Sequence, residues 1–208
     1  MHLPTHRQAR RHAQSAKGFT RPTWLLVWPA VFLVLIVSCS SRLAAQNPRP
    51  TQYEVEAAYL FNFGKFVRWP ERDNRPPAAF QICILGEDPF GAVLDKTTAG
   101  ERLDGRQVVD RRIARPQDTG GCSILYISGS EAEHLTRILA TVKDAPVLTV
   151  SDIPGFVARG GMIEFVVESG RVRFLVNLAP AEQDGLMLSS ELLKVAVRVT
   201  GGGRQENR

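Results

Sequence analysis

Histidine and cysteine are scarce in this chain, four and three among 208 residues. Three of the histidines, His2, His6 and His12, precede the first long apolar run and leave with an export leader. His134 alone remains, in an amphipathic stretch beside Glu131 and Glu133, and reads as a solvated surface side chain. A Ser-His-Asp or Cys-His nucleophile has no other base to draw on, so hydrolysis is the weakest of the functional readings. Zinc needs a cluster of cysteine and histidine ligands, which two internal cysteines and one histidine do not supply. A cofactor phosphate is not expected either. The glycine turn 86–91 carries Glu87 and Asp88, which repel an anion, and no P-loop Lys-Ser/Thr follows it. No catalytic, cofactor-binding or metal-ligating residue is assigned.

The chain also lacks a membrane-length apolar run. Trp24–Val37 is the longest, and it contains Pro29 and falls short of the roughly 20 residues a span needs. Behind the acid-free basic segment Arg7, Arg10, Arg11, Lys17 and Arg21, it reads as a secretory signal over 1–38. Ile36-Val37-Ser38-Cys39 fits a lipobox, with the cut before Cys39 and a lipid on its thiol. Alternatively a peptidase cuts after Ala45. Ser40 next to the lipid favours the outer membrane over the inner, and residues 39–50 read as a tether. Excess charge is missing as well. Of 26 basic and 21 acidic residues the leader carries five basic and no acid, which leaves the exported chain balanced. Nucleic acid is not an expected partner.

What remains is a single domain over 51–198, with a tail over 199–208. Thr51 and Glu54 form a capping box for a helix that Trp69-Pro70 ends. Its inward stripe is expected through Val55, Ala58, Tyr59, Asn62 and Phe66, widened by Leu60, Phe61 and Phe63, with Gly64 as a weak point. A polar loop, 71–79, precedes the apolar strand Phe80–Leu85, a glycine turn and a helix over 92–98. Gln107–Arg112 reads as a charged edge strand, Cys122–Ser128 as a central strand buried on both faces, and Glu131–Val142 as an amphipathic helix. Pro146–Val150 is a further strand, Leu178–Asp184 a short helix, and Ser189 the cap of the last one. Strands alternating with helices, then a hairpin, indicate an α/β fold: a mixed sheet flanked by helices in three layers, with a C-terminal β-hairpin.

That hairpin closes around Ser169-Gly170. Its register pairs Val167 with Val172, Phe165 with Phe174 and Ile163 with Val176, which gathers the apolar side chains on one face. Glu164, Arg171 and Arg173 lie on the other, where Glu164 is diagonal to Arg173 and within reach of an ion pair. This face is a solvated surface or a recognition surface. Cys83 and Cys122 both fall on apolar strands. Three states stay open for them: a structural disulfide, a redox-responsive one, or two buried thiols.

Several motifs together resemble the YfiR-like periplasmic proteins: YLFNFGKFVRWP (59–70), ICILGEDPFG (82–91), GCSILYIS (121–128), LTVSDIPGFVARGGMIEFVVESGRVRFLVNL (148–178) and LSSELLK (188–194). The resemblance implies a small non-catalytic α/β domain in the periplasm, often a homodimer. It implies binding to the periplasmic sensor region of a membrane diguanylate cyclase, which is held inactive so that cyclic di-GMP falls. An outer-membrane lipoprotein is the implied antagonist. Family members carry a cysteine pair resembling Cys83 and Cys122, whereas a second pair in the C-terminal half is missing here. The candidate contact residues are Lys65, Arg68 and Trp69 at the first helix end, and Glu164, Arg171 and Arg173 on the hairpin. The alternative function is a periplasmic module that binds a small molecule at loops 86–91 and 128–131 and presents it to a receptor or histidine kinase.

Overall fold

The continuous apolar runs at 80–85 and 122–127 become neighbouring parallel strands in the middle of a sheet covered on both faces. A computed structural model describes residues 50–70 and 79–202. The leader, Cys39, nearly all of the tether, residues 71–78 and the last six residues lie outside them. In chain order the described part runs α1 (Gln52–Phe66), β1 (Val67–Arg68), β2 (Ala79–Leu85), α2 (Ala92–Thr98), β3 (Arg102–Leu103) and β4 (Arg106–Ile113). There follow β5 (Cys122–Ile127), α3 (Leu135–Val142), β6 (Leu148–Ser151), β7 (Ile163–Glu168) and β8 (Arg171–Asn177). The chain finishes with α4 (Leu178–Gln183), β9 (Met187–Leu188), α5 (Ser190–Val195) and β10 (Arg198–Thr200).

Eight strands form one mixed sheet in the order β10-β8-β7-β6-β5-β2-β4-β3, while β1 and β9 pair apart as an antiparallel ribbon. Alternation along β2 sends Phe80, Ile82 and Ile84 to one face, with α1, and Cys83 and Leu85 to the other, with α3. The result is a three-layer α/β fold with the expected hairpin. Its register matches the apolar pattern at all three expected pairs. Both turn residues take positive φ, Ser169 at 51° and Gly170 at 71°, so the serine adopts the conformation that glycine adopts without strain.

Several expectations are corrected. The buried face of α1 runs through Glu56, Ala57, Leu60, Phe61, Phe63 and Gly64, while Ala58 and Phe66 are exposed. Apolar residues surround this helix almost entirely, so their spacing does not single out a face. Packing does, and it selects the face with the glycine: a Cβ on Gly64 would meet Leu103 and lie 3.1 Å from Cζ of Phe80. The helix ends at Phe66, and β1 follows it. The stretch at 131–142 is helical in two parts, a 3-10 segment Gly129–His134 and then α3. Beyond residue 198, Val199 and Thr200 continue as β10, parallel to β8.

The step from Gln81↔Cys122 to Ile82↔Ile124 leaves Ser123 as an extra residue in β5. This bulge shifts the alternation, so that Cys122 faces the same side as Leu125, Ile127 and Cys83. Cys83 and Cys122 are bonded, with 39 residues of separation, and both are buried. Replacing both with alanine is expected to lower the free energy of unfolding by about 3–4 kcal/mol, read from urea denaturation, because it frees a loop of that length. Gly64→Ala is expected to destabilise by about 1–2 kcal/mol through overpacking, where helix propensity alone predicts a gain of about 1 kcal/mol. Thermal unfolding checks the sign.

Candidate partner-binding surface

Helix α1 positions the first group of candidate residues. Thr51 and Glu54 cap it reciprocally as the sequence suggests, and Val67 closes it by donating to the carbonyl of Phe63. The chain then turns extended. Val67 and Arg68 pair with Leu188 and Met187, and the Ser189 N–H donates to the Phe66 carbonyl at 2.8 Å. Between α1 and this ribbon lies an open groove of about 330 Å³, bordered by Gly64, Lys65, Phe66, Arg68, Asp104 and Met187. The Lys65 ammonium lies 4.3 Å from the centre of the Phe61 ring, and the Arg68 side chain is exposed. Neither cation has a carboxylate partner among the described residues.

Trp69 is placed differently. Its indole N–H donates to the carbonyl of Ser123 at 3.1 Å, and its ring stands edge-on to Phe80 at 5.0 Å. The acceptor belongs to the bulged residue of β5, so Trp69 ties the end of β1 to the central strands.

On the hairpin, Glu164 is not part of a solvated face. It is 5% exposed, and its carboxylate accepts from the N–H groups of Gly155 and Val157 at 2.9 and 3.1 Å. It therefore pins the loop between β6 and β7. The expected ion pair with Arg173 is not formed. The guanidinium of Arg173 instead donates to the carbonyl of Val195 at 3.5 Å, and Arg171 lies exposed beside the turn. The six candidates thus separate into Lys65 and Arg68 on the groove, Arg171 and Arg173 on the hairpin, and two residues that hold the fold.

Loops 86–91 and 128–131, where a small ligand is the alternative, pack against each other. The Glu87 N–H donates to Oγ of Ser130 at 3.0 Å, and a Cβ on Gly86 would lie 2.8 Å from Cγ of Glu131. Arg112 fastens the first loop and α2 by ion pairs to Asp88 and Asp95 at 2.8 and 2.6 Å. His134 is exposed at the end of its 3-10 segment.

Sequence reasoning missed a buried polar cluster at the start of α1. Glu56 and Tyr126 are fully buried beside Tyr53 and Asp152. One Glu56 oxygen accepts from Gln52 at 2.8 Å. The other, the Tyr126 hydroxyl and one oxygen of Asp152 have no hydrogen-bond partner among the described residues. The available signal was spacing, since Glu56, Leu60, Phe63 and Gly64 share one helical face. Burial, reinforced by the charge of Asp152, pushes Glu56 up to about 7 against the pull of the Gln52 hydrogen bond. Burial and the same acidic neighbours raise Tyr126 further above its ordinary range.

A carboxyl whose pKa is higher in the folded state than in the unfolded chain contributes its stability at low pH and loses it as pH rises through the folded value. Raising pH from about 4 to about 8 is therefore expected to destabilise the protein, with Glu56 contributing on the order of 3 kcal/mol. Glu56→Gln is expected to flatten that dependence, as checked by denaturation across the range. Equal slopes for both proteins would contradict it.

Among the described residues no helix is long and apolar enough to cross a membrane, and no three His, Cys, Asp or Glu side chains are grouped to hold a metal. A family model described as YfiR/HmsC-like matches residues 53–197. The fold is also similar to that of a conserved domain protein from Vibrio cholerae O1 biovar El Tor, at 12% identity and a TM-score of 0.49 over 72% of this chain. A second similar structure is an ABC domain from Streptococcus pneumonia in complex with L-Trp, at 12% identity and a TM-score of 0.48 over 69% of this chain. The matched region spans 60% of the length of each of these two proteins.

Proposed function

The chain belongs to the YfiR/HmsC-like family, whose members are periplasmic regulators of diguanylate cyclase signalling, and on that premise we propose that it represses a membrane signalling protein by direct contact. The target of choice is a diguanylate cyclase, bound through its periplasmic sensor region, so that cyclic di-GMP falls while the complex lasts. The protein acts as a non-enzymatic partner, as a homodimer, and an outer-membrane lipoprotein releases it from its target. The observation that carries this reading is the family match, which extends over nearly the whole described domain. The exposed cations Lys65, Arg68, Arg171 and Arg173 supply polar contact points on that domain. Export through residues 1–38, with a cut after Ala45 or a lipid on Cys39 that attaches it to the outer membrane, brings it to the compartment that holds such a sensor region. The intact mass of the exported protein distinguishes the two forms.

The test is deletion in the native host together with co-purification. Removing the protein is expected to raise cyclic di-GMP several-fold, and a tagged copy is expected to retain a membrane cyclase. Unchanged cyclic di-GMP, with no signalling protein retained by a demonstrably folded copy, would overturn the proposal.

A further inference from the structure

The groove beside α1 combines features that the regulator reading does not itself require. Lys65 and Arg68 stand on it as two cations without a carboxylate partner among the described residues, although the exported chain as a whole is balanced in charge. Its acid, Asp104, already faces Arg106 at 3.7 Å. Phe66 and Met187 border the same opening at 40% and 62% exposure, so apolar side chains lie open beside the charges. Methionine adapts its shape to what it meets. Gly64 also lines the opening, while the space of its missing side chain is taken up by Leu103 and Phe80 on the packed side. Strands β1 and β9 are two residues each, too short to accept an added strand through main-chain hydrogen bonds. Recognition at this place therefore rests on side chains.

We infer that this groove is the docking site for an acidic segment of the membrane partner's periplasmic region, with one apolar anchor seated between Phe66 and Met187. The inference rests on the regulator reading and adds to it the location and the chemistry of contact. Carboxylates of the incoming segment meet Lys65 and Arg68, and the anchor covers apolar surface that is otherwise left in water. The hairpin cations Arg171 and Arg173 are not needed for this contact.

Photo-crosslinking in the native host tests it. The full-length chain carries Met187→p-benzoylphenylalanine, or Val167→p-benzoylphenylalanine as a comparably exposed control on the hairpin, and crosslinked peptides are identified by mass spectrometry. A crosslink from position 187 to an acidic stretch of a membrane signalling protein is the expected result. Lys65→Glu with Arg68→Glu is expected to weaken binding of that protein's purified periplasmic region by about tenfold or more, increasingly so at low salt. Capture of the same protein from position 167 alone would overturn the groove while leaving the regulator reading intact. A crosslink from 187 to a basic or uncharged stretch, or to a second copy of this chain, would also overturn the groove assignment. If neither position captures a membrane signalling protein, both readings fall.

Discussion

One extra residue in β5 sets both the cross-link between the central strands and the anchor of the segment that leaves α1. Because Ser123 has no counterpart in β2, the alternation of β5 changes phase beside it, and Cys122 comes to the face that Cys83 occupies. An unbroken register would send the two sulfurs to opposite faces. The same bulge leaves a carbonyl turned out of the ladder, and Trp69 donates to it. A single irregularity thus cross-links the central strands on one face and fixes the exit of α1 on the other. The ribbon of β1 and β9, and the groove beside it, sit where that exit leads.

Helix α1 carries the consequences along its length. At its start a fully buried glutamate faces a second acid and two tyrosines with no countercharge, which is why it titrates near neutrality. Further along, Gly64 allows the helix to lie against Phe80 and Leu103 more closely than any side chain would permit. At its end Lys65 and Arg68 project into solvent. The helix thus carries a buried acid at one end and exposed cations at the other, with its close contact to Phe80 and Leu103 between them.

Glu164 shows how a polar residue can lie on the polar face of a strand and still be a structural element. Along β7 the exposed side chains occur only toward the hairpin turn, where Val167 and Glu168 emerge. Closer to β6, Glu164 meets the loop that connects the strands, and two backbone N–H groups satisfy its charge. A buried carboxylate in this position fixes a loop. It does not advertise a surface.

Local pattern is enough to specify the hairpin register, the central apolar strands, the capping box at Thr51 and Glu54, and the cap at Ser189, because each depends on neighbours a few residues away. The rotation of α1 was not legible, since its apolar residues lie nearly all round and only the sheet selects a face. Strands of two or three residues such as β1, β9 and β10 carry no period of their own. The candidate site was legible in part: Lys65, Arg68, Arg171 and Arg173 are exposed, while Trp69 and Glu164 turn inward to partners 54 and 7–9 residues away in sequence. The pairing of Cys83 with Cys122 depended on the bulge, and the groove on a ribbon between segments more than a hundred residues apart. Periodicity reports what one segment prefers. Which segments meet, and which polar groups they bury between them, is decided by packing of the whole chain.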